Sequence, residues 1–128
     1  MPGTTQADVD AHLHEALGEL AHHVEVSQIQ SFDSTESARG NDLWDALSSA
    51  TQVAYPGAEL LPGLIVGGTD ARFYRGKGSI AYGTGLFSPA VSLESFGTRF
   101  HGNDERIDVE SLGLTTALFH HVTTDLLG

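Results

Sequence analysis

Two short polar clusters interrupt the apolar runs of this 128-residue chain, and both carry side chains suited to holding a ligand. The first, GGTDARFYR, runs from Gly67 to Arg75. Gly67-Gly68 allows backbone conformations closed to other residues and lets a ligand come close to the main chain. Thr69 stands where an apolar strand would pass into a helix, a place where free amide groups face an anion. A purely structural role is also open, with Thr69 or Asp70 capping a short helix over DARFYRG. The second cluster, FHGNDERIDVESL, runs from Phe100 to Leu112. In it His101 offers an imidazole suited to zinc, and Gly102 gives the freedom to aim it. An ordinary surface histidine would read the same way.

The other six histidines fall at positions 12, 14, 22, 23, 120 and 121. Adjacent residues on a helix point about 100° apart, so these fit solvated helix faces better than one shared metal. The chain has no cysteine, which excludes disulfides and thiolate metal sites. A net charge of −11 with six scattered basic residues argues against nucleic acid and against an anionic membrane surface. Neither a signal-like N-terminus nor a long apolar run is present. The expectation is a soluble, cytoplasmic protein.

The elements that must position these clusters read as α/β. Thr5 and Asp8 form a capping box at the head of an amphipathic helix reaching about His22, with Val9, Leu13, Ala16, Leu17, Leu20 and Val24 as its apolar stripe. Val24, Val26 and Ile29 then alternate as a strand would. DSTESARGND (33–42) is a polar linker. Asn41 or Asp42 can cap a second helix, LWDALSSATQVAY, which stops before Pro56-Gly57. Apolar strands are predicted around Leu60, at Leu64–Val66 and over SIAYGTGLF (79–87). A last helix starts near Asp108, with Leu112, Thr116, Phe119, Val122 and Leu126 along one side. A single helix–strand pair ahead of the linker cannot bury both of its faces.

In this order the two clusters resemble the C-terminal end of the co-catalytic zinc peptidases, peptidase family M-twenty. That family includes aminoacylases, succinyl-diaminopimelate desuccinylase, and carboxypeptidase G-type and Xaa-His dipeptidase enzymes. The resemblance implies a hydrolase, in two parts. Residues 1–32 correspond to half of an α+β, ferredoxin-like lid or dimerisation domain, and 33–128 to the C-terminal part of a catalytic domain with a mixed sheet and flanking helices. It also implies two zinc ions in the complete enzyme, with His101 as the last metal ligand. Thr69 and the backbone at Gly68 would hold a substrate carboxylate. Gly67, Asp70, Arg72 and Gly102 would shape their loops, and Glu105 would support His101. Substrates would be dipeptides or N-acyl amino acids, and the lid would make a homodimer contact.

The departures are as definite as the match. The family's H-x-D motif, its Glu-Glu pair with the general base, and the arginine on its lid that grips substrate have no counterpart in this sequence. The resemblance therefore implies a fragment with one metal ligand, weak zinc binding and no catalysis alone. A non-enzymatic dimerisation or interaction remnant, and an independent small α/β domain, stand as alternatives.

Overall fold

The computed structural model describes residues 3–128, and every regular element among them is a helix. These are α1 (Gln6–Leu17), a 3-10 helix (Gly18–His23), α2 (Asp42–Ala54), α3 (Ala71–Arg75), α4 (Leu93–Gly97) and α5 (Val109–Leu127). No helix among the described residues is long and apolar enough to cross a membrane. Two compact units emerge. One comprises residues up to Ser37 together with Leu64–Ala81, and the other comprises Ala38–Gly63 with Tyr82–Gly128.

The expected α/β fold, a mixed sheet preceded by half of a ferredoxin-like lid, is overturned: no strand pairs with another among the described residues. The apolar runs at Val24–Ile29, Leu60, Leu64–Val66 and Ser79–Phe87 are present but have no ladder. Apolar alternation makes a segment suitable for a sheet, yet a strand forms only when its N–H and C=O groups meet another strand. Ser79 N donates to the Tyr74 carbonyl at 3.1 Å, and the other polar backbone groups of these runs that find partners find side chains. Thr115 Oγ1 donates to the carbonyl of Leu86 at 2.9 Å and accepts from its N–H at 3.0 Å. Ser111 Oγ accepts from Ser88 N at 2.9 Å. Leu64–Val66 makes no backbone hydrogen bond among the described residues, and Val66 is 98% exposed.

In the first unit, α1 starts where the capping box places it. Thr5 Oγ1 accepts from Asp8 N at 3.3 Å, and the Asp8 carboxylate accepts from Thr5 N at 2.8 Å. Gly18, with φ of 53°, ends the α-helical part, and the chain tightens into the 3-10 turn. No residue of α1 is buried, so its apolar stripe faces solvent. The side chain of Gln6 holds the following segment through Gln28 at 2.8 Å and Ser31 at 3.3 Å. Arg75 ties the rest together by donating to the carbonyls of Thr35 at 3.1 Å and Ala81 at 2.6 Å, and to Ser37 Oγ at 3.2 Å.

The second unit has the only buried apolar cluster among the described residues. Asn41 caps α2 by accepting from Trp44 N at 3.1 Å, and the helix closes at Tyr55, before Pro56. Ala46, Leu47 and Ala50 of α2 meet Leu118 and Val122 of α5, with Leu43, Leu60, Tyr82 and Leu86 packed around them. The single tryptophan, Trp44, meets Tyr82 edge-on at 5.4 Å. Of the α5 side expected from the sequence only Val122 is buried, while Leu112, Phe119 and Leu126 are exposed. The inward face instead carries Ser111 and Thr115, because their hydroxyls satisfy backbone groups whose unpaired burial costs about 1–3 kcal/mol each. A short helix not foreseen from sequence, α4, is capped by Ser92, and Phe96 on it stacks edge-to-face with Phe87 and Phe100.

Asp108 caps α5. The Ser111 N–H, then the Ser111 hydroxyl, and further the Arg99 guanidinium at 2.7 Å lower its carboxyl from 3.8 to about 2. A depressed carboxyl contributes stability that is complete above its unfolded value and is lost as pH falls toward its folded one. We expect Asp108→Asn, which keeps an acceptor, to remove part of the stability lost by the wild type between pH 3.8 and about 2. Identical acid profiles in circular-dichroism melts of the two proteins would contradict this.

Among the described residues, twenty-three large apolar side chains are exposed, against five apolar residues buried. Each Å² of such surface withdrawn from water is worth roughly 25 cal/mol, so copies of the chain are expected to associate. Light scattering should detect concentration-dependent association. A monodisperse monomer with a sharp cooperative melt would show this expectation to be wrong.

Candidate functional site

The two motifs fall in different units, Gly67–Arg75 in the first and Phe100–Arg106 in the second. Thr69 precedes the five-residue helix α3, whose residues from Ala71 onward take helical form. Its Oγ1 accepts from Ala71 N at 3.2 Å, and its carbonyl accepts from Arg72 N at 3.3 Å. Thr69 thus performs the local capping that the sequence allowed, and the Thr69 hydroxyl proton is left free to donate. Asp70, in contrast, makes no side-chain cap.

Arg72 does more in this loop than its spacing suggested. Its guanidinium carbon lies 3.5 Å from the centre of the Phe32 ring and 4.7 Å from that of Phe73. Cation–π stacking of this kind favours arginine, whose flat group covers a ring face. Gly68 sits beside it: a Cβ at this position would lie 3.4 Å from Arg72 Nη1. Gly67 has no close neighbour apart from the Ile65 side chain, 4.0 Å from where its Cβ would be.

In the second unit His101 is the most openly presented of the expected residues. Its side chain is 99% exposed, and Nδ1 lies 4.0 Å from Glu105 Oε1. His101 and Asp104 both adopt the left-handed region, with φ of 57° and 62°. That region costs an L-residue roughly 1–2 kcal/mol, though His and Asp enter it more readily than most. Two such residues turn the chain sharply around Gly102, and Arg106 closes the turn by donating to the Asp104 carbonyl at 2.9 Å.

A zinc centre needs at least three protein donors. No group of three His, Cys, Asp or Glu side chains is placed to hold a metal among the described residues. His101 with Glu105 supplies at most two, so these residues do not by themselves make the centre that the resemblance implies.

One further cluster was invisible in the sequence, because its members are 72 residues apart. Ser49 Oγ and Asp125 Oδ2 each lie 3.3 Å from His121. Both address the same nitrogen, Nε2, whereas a nucleophile–base–acid relay needs opposite nitrogens of the ring. The arrangement joins α2 to α5 and has no relay chemistry. Close by, an open apolar groove of about 660 Å³ is lined by Ala50, Val53, Ala54, Ala117 and His120, among others, and it includes none of the residues expected to form a site.

Comparison with protein-family models, with curated proteins and with solved structures gives no match. Function is therefore argued from the residues themselves.

If the backbone at His101 carries the conformational cost and its side chain packs against nothing, replacement should follow backbone preference alone. His101→Gly should keep or raise the melting temperature. His101→Val should lower stability by about 1 kcal/mol, as a β-branched residue resists the left-handed region. Urea unfolding of the two variants decides the matter, and equal stabilities would refute it.

Proposed function

We propose that this chain is the part of a zinc-dependent amidohydrolase or metallopeptidase that carries the last metal-ligating histidine, His101, and the carboxylate-holding loop at Gly68–Thr69. The observation that carries the reading is the ordered pair of motifs, GGTDAR ahead of FHGNDER, in a single chain. The presentation of His101 supports it. An imidazole that neither packs nor caps, held on a left-handed turn with Glu105 near Nδ1, keeps Nε2 free to coordinate. The free proton of the Thr69 hydroxyl suits an anionic group of the substrate.

On this reading the substrates are dipeptides or N-acyl amino acids, and the two zinc ions belong to a protein that also supplies an H-x-D motif and a Glu-Glu pair. His101 would hold one of those ions, with Glu105 orienting its ring. The chain alone is inactive. On this reading the protein works in the cytoplasm. An interaction remnant is the second reading. It is favoured by the solvent-facing stripe of α1, where Val9 and Leu13 are 42% and 39% exposed, a surface suited to a homodimer contact.

Purified chain should show no turnover of N-acyl amino acids or dipeptides with zinc, cobalt or manganese. Equilibrium dialysis should find weak zinc binding that His101→Ala removes. Chelator-sensitive turnover, or tight stoichiometric zinc unaffected by His101→Ala, would overturn the proposal. An upstream reading frame encoding H-x-D and Glu-Glu would favour the enzyme over the remnant, and in-frame stop codons there would favour the remnant.

A further inference from the structure

Arg75 ties the first unit together, yet every group its donors reach is neutral. Its Nε donates to Ser37 Oγ at 3.2 Å and to the Ala81 carbonyl at 3.1 Å, and one N–H of Nη2 reaches the same carbonyl at 2.6 Å. The N–H groups of Nη1 go to the carbonyl and the hydroxyl of Thr35, each at 3.1 Å. The second N–H of Nη2 is left over, on the nitrogen next to the one that serves Thr35. Asp33 and Glu36 flank Thr35 in the sequence, but Arg75 forms no ion pair among the described residues. Thr35 itself is exposed, on an irregular stretch between His23 and Asp42. Ser37, the other hydroxyl on Arg75, is half-buried and is also engaged by both the N–H and the carbonyl of Ala81.

We propose that Thr35 is a phosphorylation site and that Arg75 receives its phosphate, so that the modification clamps the Thr35–Ser37 segment onto α3. A separate protein kinase moves the γ-phosphoryl group of a nucleoside triphosphate to Thr35 Oγ1. The new O–P bond forms as the bond to the β–γ bridging oxygen breaks; the nucleoside diphosphate leaves, and the hydroxyl proton passes to the kinase's base. An acceptor on an exposed, irregular segment can leave its hydrogen bonds to enter such an enzyme at little cost. Acidic residues on both sides are a charge pattern by which kinases choose substrates. The phosphate adds about −1.5 to −2 of charge and three acceptor oxygens. They project just beyond Oγ1, where Nη1 already donates and Nη2 has its spare N–H. Guanidinium–phosphate pairs of this kind are frequently bidentate. Arg72, Arg75 and Lys77 are half of the six basic residues in the chain, so the anion falls beside its densest positive charge. Asp33 and Glu36 oppose it weakly, because both are exposed and screened by solvent.

The test uses the full chain with Thr35→phosphoserine introduced during translation, followed by phosphorus-31 NMR against pH. A free phosphomonoester loses its second proton near pH ~6. We expect the folded chain to titrate about one pH unit lower, as an anion does beside a guanidinium. The shift should vanish in urea and be abolished by Arg75→Gln. Since Arg75→Gln also removes ties that hold the first unit, the comparison of folded with urea-unfolded chain, with Arg75 intact, stands by itself. Hydrogen exchange at residues 31–37 should slow severalfold on phosphorylation when Arg75 is present. Peptide mapping of the chain isolated from its own cells should find phosphate on Thr35. An unshifted titration in the folded chain, a shift that persists in urea, or a native chain without phosphate on Thr35 would overturn the proposal.

Discussion

Among the described residues, the seam between α2 and α5 is the one place where the protein makes an apolar interior, and the second unit is organised by it. Small residues on α2, Ala46 and Ala50, let the helices approach, and Leu47, Leu118 and Val122 fill the contact. Ser111 then links the seam to the rest. It is wholly buried, accepts from Ser88 N, and both its N–H and its hydroxyl donate to Asp108. One side chain thereby joins the helix cap, the helix face and the extended segment that crosses it. Thr115, one turn on, does the same for Leu86. These hydroxyls stand in for the neighbouring strand that the Tyr82–Ser88 segment lacks.

What was legible in the sequence is what local chemistry decides. The Thr5–Asp8 box, the Asn41 and Asp108 caps and the stop at Pro56 all appear as read, because each depends on residues a few positions apart. Strands were not legible in the same sense. Val24–Ile29 and Leu64–Val66 have a suitable pattern, but pairing requires a second segment, and no local pattern states whether one is available. The phase of α5 was misread for a related reason. Its apolar residues occur nearly all round, and the choice of face was made by two hydroxyls answering backbone groups more than twenty residues away.

The candidate site divides along the same line. Residue type marked His101 and Thr69 as groups able to coordinate or donate, and their local environments are compatible with that use. Arg72 carried no such mark, since spacing gives no hint of an aromatic ring from residue 32 beneath residue 72. The metal ligands that would complete a centre with His101 are a different matter. The H-x-D and Glu-Glu motifs that would bring them do not occur in the sequence, and among the described residues no group of three His, Asp or Glu side chains takes their place.

The edge-on contact of Trp44 with Tyr82 has a practical consequence for anyone following this protein by optical spectroscopy. As the only indole in the chain, Trp44 makes intrinsic fluorescence a reporter of the second unit alone. Its emission will track the parting of α2 from its surroundings and will be blind to the loop that contains Thr69 and Arg72. A far-ultraviolet signal, in contrast, averages helices from both units. Disagreement between the two traces would therefore measure how independently the units come apart.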